Sequence, residues 1–270
     1  MIKSKINYKL IPLIITIIFV LDSKNIVNKY IIQLLMLCGI NIIMTQSVNL
    51  VNGLTGQSTM GHAGFMSVGA YASAFITTVL FPVSNFSYGI QMIMFLLSTI
   101  FGGCVAALFG IAIGGPSLRL KGDYLAILSL GFGEVIRTLL RATSILGGAR
   151  GLTGIPKLAG LFWVYLFVAL TIYVCRNFMD SSYGRACIAI RDNDIAADAM
   201  GINTSRYKII AFVLSTFLAG IAGSLYAHVF RFLQPDVFGY AKSTDFLVYL
   251  YAGGVGSISG SIVGAFVLTI

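Results

Sequence analysis

Long apolar blocks separated by short polar gaps are the feature that most restricts how this chain can fold. A bilayer core about 30 Å thick requires roughly 20 apolar residues per helix, and several blocks reach that length. Only 10% of the 270 residues are charged, whereas soluble domains carry about 25%. The pattern predicts a single transmembrane domain, residues 1–270, folded as an all-α, polytopic membrane bundle of about eight helices. The blocks are Leu10–Leu21, Tyr30–Val48, Met60–Leu80, Ile90–Ile113, Tyr124–Leu140, Leu161–Cys175, Ile209–Phe230 and Phe246–Ile270.

The first block resembles a secretory signal, because Lys3, Lys5 and Lys9 precede it. A cleavage pattern of small residues does not follow, and further apolar blocks do. We therefore expect an uncleaved first helix.

The net charge of +9 is spread over the gaps between apolar blocks. Nucleic-acid binding requires a clustered basic stripe, which the sequence lacks. Lys and Arg at membrane–water boundaries explain the charge, so no nucleic-acid partner is predicted. The basic segment Arg176–Lys208 is placed in the cytosol by the excess of Lys and Arg in cytosolic loops.

The sequence predicts neither a metal site nor catalysis. Its four cysteines, Cys38, Cys104, Cys175 and Cys187, form no CxxC pair, so no disulfide or metal framework is expected. Neither a His–Ser–acid trio nor a phosphate-binding GxxxxGK[ST] loop occurs. The chain is therefore predicted to have no cofactor and not to be an enzyme, and any ATP would be hydrolysed by a separate subunit.

The sequence has thirty glycines, and they are concentrated in three clusters, at 53–64, 147–160 and 253–264. Glycine in apolar segments allows close helix packing, as in Gly256-x-x-x-Gly260. It also allows broken helices whose free backbone groups face a solute. Gly-Leu-Thr-Gly occurs twice, at Gly53–Gly56 and at Gly151–Gly154, and the predicted topology places the two copies on opposite sides of the membrane.

Two charged residues and two histidines fall within apolar blocks. Glu134 and Arg137 are three residues apart, so they can pair on one helical face. An ionised group at the bilayer centre costs about 2.5–3.5 kcal/mol, so both are expected to face protein or water. A structural ion pair is favoured over contact with a solute. His62 is expected to form hydrogen bonds inside the bundle, and a proton relay is the alternative; His228, at a helix end, is expected at the interface.

The polar segment Arg176–Lys208 has a helical pattern over Ala186–Met200, without Pro or Gly. Asp192 or Asn193 can cap a short helix there, and Gly201 stands where that helix should end. Such a helix suits rigid docking into another protein, and an ordinary solvated loop is the alternative.

Ile195-Ala-Ala-x-x-x-Gly201 resembles the EAA loop of ABC importer permeases, with Ile195 in place of the leading Glu. Further motifs resemble the branched-chain amino-acid permeases of the LivM type, and the resemblance covers Tyr30 to Ile270. These motifs are Asn49-Leu-Val-Asn-Gly-Leu-Thr-Gly-Gln57, Gly61-His-Ala-Gly64, Leu118-Arg-Leu-Lys-Gly-Asp-Tyr124, Leu130-Gly-Phe-Gly-Glu-Val-Ile-Arg137 and Gly253-Gly-Val-Gly-Ser257.

The resemblance implies a type II importer fold in the bacterial plasma (inner) membrane. It also implies a permease subunit that moves branched-chain amino acids inward by alternating access. The implied partners are a second homologous permease, two cytosolic ABC ATPase subunits and an extracytoplasmic substrate-binding protein. The ATPases would grip Arg191, Asp194, Ala196, Ala197 and Gly201. Broken-helix ends would supply polar groups to the solute; the pathway residues are Asn52, Gly53, Thr55, Gly56, Gln57, His62, Gly151, Thr153 and Gly154.

The chain departs from the family pattern in two places. Leu146-Gly-Gly-Ala-Arg150 stands where members have a Thr-Gly-Gly-Pro-like sequence, and members continue past the last glycine cluster, so a shortened member is expected. Two alternatives stay open. One is a related permease for urea, short amides or a sugar. The other is a stand-alone channel or secondary transporter, for which only Glu134 offers a carboxylate deep in a span.

Overall fold

The computed structural model describes residues 28–82, 87–117 and 123–270, and in these ranges the chain folds into ten α-helices. The predicted block Leu10–Leu21 lies outside the described residues, and so do residues 118–122 of one motif. The helices are α1 (Lys29–Val48), α2 (His62–Phe75), α3 (Tyr88–Ser117), α4 (Asp123–Ala142), α5 (Leu161–Asp180), α6 (Ser182–Asp192), α7 (Asp194–Ala199), α8 (Thr204–Phe230), α9 (Tyr240–Gly253) and α10 (Ile258–Thr269).

Five helical segments among the described residues are long and apolar enough to cross a membrane. They are Lys29–Gly53, His62–Leu80, Gly89–Gly115, Leu161–Asp180 and Thr204–Phe230. The prediction of an all-α membrane bundle is confirmed, whereas the count of eight spans is not.

The predicted block Phe246–Ile270 is not one span, which corrects the sequence prediction. It is divided between α9 and α10, because residues 254–257 form a turn. Gly254 and Gly256 have φ values of +102° and +79°, which side chains with a Cβ rarely adopt. Ser257 then caps α10 by accepting a hydrogen bond from the Gly260 amide. Hydropathy alone does not reveal such a turn, since the flanking residues are apolar on both sides.

Helix α8 is at the centre of the bundle and packs against α1, α2 and α3. Small residues permit these contacts: a Cβ on Gly110 of α3 would collide with Thr216, and one on Gly69 of α2 with Gly220. Ser224 also donates to the carbonyl oxygen of Gly69, at 3.2 Å. Close backbone approach through small residues is the usual packing mode of helices in membranes.

The end of α1 is interrupted. A π-helical turn, Asn49–Gly53, follows α1, and residues 56–61 have no regular structure before α2 begins. His62 lies beside Ser215, near the middle of α8, whereas Thr77 lies beside His228, close to the end of α8. Helix α2 therefore runs along only the second half of α8, and the segment before it leads from the end of the bundle back to its middle. This is the arrangement of a discontinuous membrane helix.

His228 is buried, not interfacial as predicted. Its Nδ1 lies 2.8 Å from the carbonyl oxygen of Ser224, and its Nε2 lies 3.2 Å from Thr77 Oγ1. Thr77 comes from the π-helical turn Ile76–Leu80 after α2, and Ser224 from the preceding turn of α8. Sequence spacing does not indicate the contact with Thr77.

Candidate solute pathway and coupling segment

Two short helices, α6 and α7, form the segment between the spans α5 and α8. Asn193 separates them and caps α7, because its Oδ1 accepts hydrogen bonds from the amides of Ile195 and Ala196 at 3.1 and 3.0 Å. Gly201, with φ at +82°, follows the end of α7. The cap and the stop predicted for this helix are confirmed. We call residues 182–201 the coupling segment.

The coupling segment is fixed to the bundle by its inner face. Asp194 Oδ2 pairs with Lys208 Nζ of α8 at 3.0 Å, and Ala197 is buried. The outer face bears large apolar side chains, since Ile195 is 77% exposed and Met200 is 82% exposed. Ala196 also lies on this outer face. The residues predicted to contact the ATPases are thus divided between a side that is anchored to the bundle and a side that is exposed.

Arg191, at the end of α6, contacts the turn that ends α1. Its Nη1 donates to the carbonyl oxygen of Gly53 at 3.1 Å. Gly56 has φ at +68°, and a Cβ there would lie 2.7 Å from Arg191 Cγ. The structure therefore brings together residues from two sets that the sequence analysis kept apart, the coupling loop and the solute pathway.

Polar side chains at the end of α1 and in the π-helical turn that follows it hold the α9–α10 turn in place. Gln46 Nε2 donates to the carbonyl oxygen of Ile258, and Asn49 Oδ1 accepts from the Gly256 amide, both at 2.8 Å. These two contacts were not predicted from the sequence. The spacing of Gln46, Asn49 and Asn52, three residues apart at the end of an apolar block, is the signal that could have indicated them.

A chain of buried polar groups leads from Asn52 to the middle of α8. Thr59 Oγ1 lies 2.9 Å from Asn52 Oδ1 and 3.2 Å from His62 Nδ1. His62 Nε2 lies 2.7 Å from Ser215 Oγ, which in turn donates to the carbonyl oxygen of Ser47. The expectation that His62 forms hydrogen bonds inside the bundle is confirmed. The serines and Thr59 were missed, because isolated hydroxyl residues in apolar blocks are too common to be informative.

The other predicted pathway residues of this turn differ in whether their side-chain polar groups have hydrogen-bond partners. Thr55 Oγ1 donates to the carbonyl oxygen of Val51, so its hydroxyl proton is used within the turn. Within the described part of the chain, Asn52 Nδ2 and Gln57 Oε1 are buried and lack a hydrogen-bond partner. A cavity of about 350 Å³ adjoins Asn52, Ser58 and Thr59.

Gly151, Thr153 and Gly154 are at the other end of the bundle. Leu152 forms an antiparallel bridge with Leu233, just beyond the end of α8, and Thr153 and Gly154 are exposed. The coupling segment precedes the start of α8, whose 27 residues span about 40 Å. The two Gly-Leu-Thr-Gly sequences therefore do not form one site.

Glu134 and Arg137 form an ion pair of 2.8 Å on α4, each side chain being 32% exposed. Glu134 Oε1 also accepts from the Tyr240 amide at 3.0 Å. This amide begins α9, where Gly239 offers no capping side chain. The pair thus joins α4 to the start of α9 and does not adjoin the cavity beside Asn52.

The four cysteines are unpaired. Among the described residues, no group of three or more His, Cys, Asp or Glu side chains is arranged to hold a metal ion.

Comparison with known proteins gives the family. Residues 30–270 match the family model for branched-chain amino acid transport system / permease component. The high-affinity branched-chain amino acid transport system permease protein LivM of Escherichia coli K12 is 33% identical over 90% of this chain, and that of Salmonella typhimurium is 34% identical over 86%. The permease protein LivH of Escherichia coli K12 is 24% identical over 82% of this chain and 77% of its own length.

The chain spans 63% and 60% of the lengths of these two LivM proteins. No solved structure matches the chain. The match to the family model covers every described helix except the first residue of α1, and it includes the interrupted end of α1, the coupling segment and the α9–α10 turn. The chain therefore belongs to the family of branched-chain amino acid transport system permease components.

Proposed function

We propose that this chain is the permease subunit of an ATP-driven importer of branched-chain amino acids in the bacterial inner membrane. Family membership supports a permease role, and the names of the LivM and LivH relatives support this class of solute. Transport proceeds by alternating access, in which the interrupted end of α1 changes position between the two states.

The proposal includes three kinds of partner. A second, homologous permease completes the pathway across the membrane, and an extracytoplasmic binding protein delivers the solute. Two cytosolic ATPase subunits bind and hydrolyse ATP, since the sequence has no phosphate-binding loop of its own. This chain converts their movement into a change of access.

The exposed outer face of α7 is the observation that carries the proposal. Ile195 and Met200 present large apolar side chains on a segment that lies between spans. A largely exposed apolar pair, one on a capped helix and one on the residue that follows it, is typical of an anchor that is buried in a partner. Asp194 and Ala197 fix the other face to the bundle, so a force on α7 is transmitted to α8 and, through Arg191, to Gly53.

The proposed solute pathway follows the interrupted helix. Asn52, Gln57 and the turn Gly53–Gly56 lie at its cytosolic half, and His62 holds the start of α2. Gly151, Thr153 and Gly154 lie at the outer end, where solute enters. The ion pair of Glu134 and Arg137 has a structural role in this scheme, because Glu134 is already bound to Arg137 and to the start of α9.

Proteoliposomes with all subunits provide the test. We expect ATP-dependent uptake of leucine, isoleucine and valine, and stimulation of ATP hydrolysis by the loaded binding protein. Ile195→Glu should abolish co-purification with the ATPases. Ile145→Glu is the matched control, since Ile145 is 69% exposed at the opposite end of the bundle.

Retained assembly and uptake in Ile195→Glu would remove the coupling role of α7. Uptake of urea, an amide or a sugar, without competition by leucine, would replace the proposed solute.

A further inference from the structure

A cavity of about 350 Å³ opens between the end of α1, α4 and α9. Asn52, Ser58 and Met60 line it on one side, and Ile127, Leu247 and Tyr251 line it on the other. Among the described residues of its wall, none is charged. The wall therefore combines an apolar surface with a few hydroxyl and amide groups, which is the usual composition of a small-molecule site.

Asn52 is the polar group of this wall whose orientation is determined by its neighbours. Its Oδ1 lies 3.2 Å from the amide nitrogen of Thr59 and 2.9 Å from Thr59 Oγ1. A backbone N–H can only donate, so the atom facing it must be the amide oxygen. The amide nitrogen then has two protons to donate, although the residue is only 7% exposed and Nδ2 has no partner in the described part of the chain.

A buried, unpaired donor destabilises a folded state unless a ligand or water satisfies it. We propose that this cavity is a solute subsite, in which Asn52 Nδ2 donates to a carboxylate oxygen of an apolar amino acid. Met60, Ile127 and Leu247 contact the aliphatic side chain of the solute. This inference rests on the proposed function and gives it a location on this chain.

The position of Asn52 explains how such a subsite is coupled to the rest of the molecule. The next residue, Gly53, accepts the hydrogen bond from Arg191 of the coupling segment. One π-helical turn, Asn49–Gly53, thus holds both the donor and the contact with α6. A displacement of α6 moves the donor relative to α4 and α9, which form the facing wall, and changes the affinity of the cavity.

Asn52→Asp tests the role of the donor in proteoliposomes with all partner subunits. The substitution keeps an oxygen that accepts from Thr59 and replaces the free donor by a carboxylate oxygen. We expect kcat/KM for leucine uptake to fall about tenfold or more, since a charge-assisted hydrogen bond is exchanged for repulsion. The kcat/KM for leucinamide uptake should fall far less, because its carboxamide can donate to the new carboxylate. The readout is therefore the ratio of kcat/KM for leucine to kcat/KM for leucinamide. A ratio does not depend on how much of the variant folds.

A labelling experiment measures occupancy without uptake. In a Cys104→Ser background, Ser58→Cys places a thiol in the wall of the cavity. Ser259→Cys, in the first turn of α10, is the control, because Ser259 does not line the cavity. Leucine should slow maleimide labelling of the first thiol several-fold and leave the second unchanged, and leucinamide should protect less.

The outcomes separate the two proposals. Wild-type vesicles that import leucine, with an unchanged ratio in Asn52→Asp and no protection at Ser58→Cys, would overturn the subsite alone. Wild-type vesicles that import no branched-chain amino acid would overturn the proposed function, and the subsite with it.

Discussion

Arg191 and Gly53 are 138 residues apart in the sequence, yet Arg191 Nη1 donates to the Gly53 carbonyl oxygen at 3.1 Å. The oxygen belongs to the π-helical turn at the end of α1, where the regular hydrogen bonds of the α-helix stop. Arg191 also pairs with Asp192 Oδ1, at 3.2 Å, which orients the guanidinium. The coupling segment is thus attached to a part of the bundle where regular α-helical hydrogen bonding stops.

Arg191→Ala should uncouple ATP hydrolysis from transport. The substitution removes the hydrogen bond to Gly53 and leaves the exposed face of α7 intact, so assembly with the ATPases should persist. We expect substrate-stimulated ATP hydrolysis and uptake to fall several-fold, with basal hydrolysis retained. Arg185→Ala on the same helix is the control, because the Arg185 guanidinium bonds only to the nearby carbonyl oxygen of Asp180 in the described structure. Equal uptake in the two variants would contradict the role of Arg191.

Gly56→Ala should destabilise the chain by more than backbone strain alone. At φ +68° an alanine costs about 1–2 kcal/mol, and its Cβ would also collide with Arg191 Cγ. Gly154→Ala isolates the first contribution, because Gly154 has φ +80° and nothing within 4 Å of an added Cβ. Thermal unfolding in detergent should therefore show a larger decrease in Tm for Gly56→Ala. Equal decreases in Tm for the two variants would show that the Arg191 side chain moves aside at little energetic cost.

Glu134 is expected to act mainly as a cap for α9. Glu134→Gln keeps an acceptor for the Tyr240 amide and loses the ionic part of the pair with Arg137. The free energy of unfolding should therefore fall by about 1 kcal/mol or less at this partly exposed site. Glu134→Leu loses both contacts and should cost about 1–3 kcal/mol more. The measurement is again Tm in detergent, with leucine uptake alongside. A large loss of uptake in Glu134→Gln at unchanged Tm would instead indicate contact with a solute.

Cys187, in α6, should resist thiol reagents in the folded chain. It is fully buried, and burial raises the pKa of its thiol to about 11 from the ordinary value of 9.0. Folding therefore favours the protonated thiol, so this contribution to stability is complete below pH 9 and declines as the pH rises towards 11. The difference in Tm between the wild-type chain and Cys187→Ala should narrow as the pH rises above 9. Rapid labelling at pH 7 without detergent unfolding would mean that α6 is not packed as described.

Local chemistry in the sequence predicted the coupling segment well. Asn193 and Gly201 are residue types with a strong positional meaning at helix ends, and the polar composition of Arg176–Lys208 excludes a span. The contact between Glu134 and Arg137 was predicted for the same reason, since two residues on one helical face meet regardless of the tertiary fold.

Contacts between distant segments could not be predicted in this way. Nothing near Arg191 indicates that its partner is a carbonyl oxygen of residue 53, because every residue offers the same backbone group. The division of Phe246–Ile270 into two helices was missed, because glycines that form a turn cannot be distinguished by residue type from glycines that allow close helix packing. His228 was misplaced because its partner Thr77 comes from another helix.

Helix α8 is tied to other parts of the chain at both of its ends. Lys208, in its first turns, pairs with Asp194 of the coupling segment, and Leu233, just past its last residue, bridges to Leu152 of the opposite loop. An uninterrupted helix of this length moves nearly as a rigid rod. A protein that binds the loop around Leu152 and a protein that binds α7 would therefore act on the same helix. Any effect of one on the affinity of the other must then be equal in the two directions, as thermodynamic reciprocity requires.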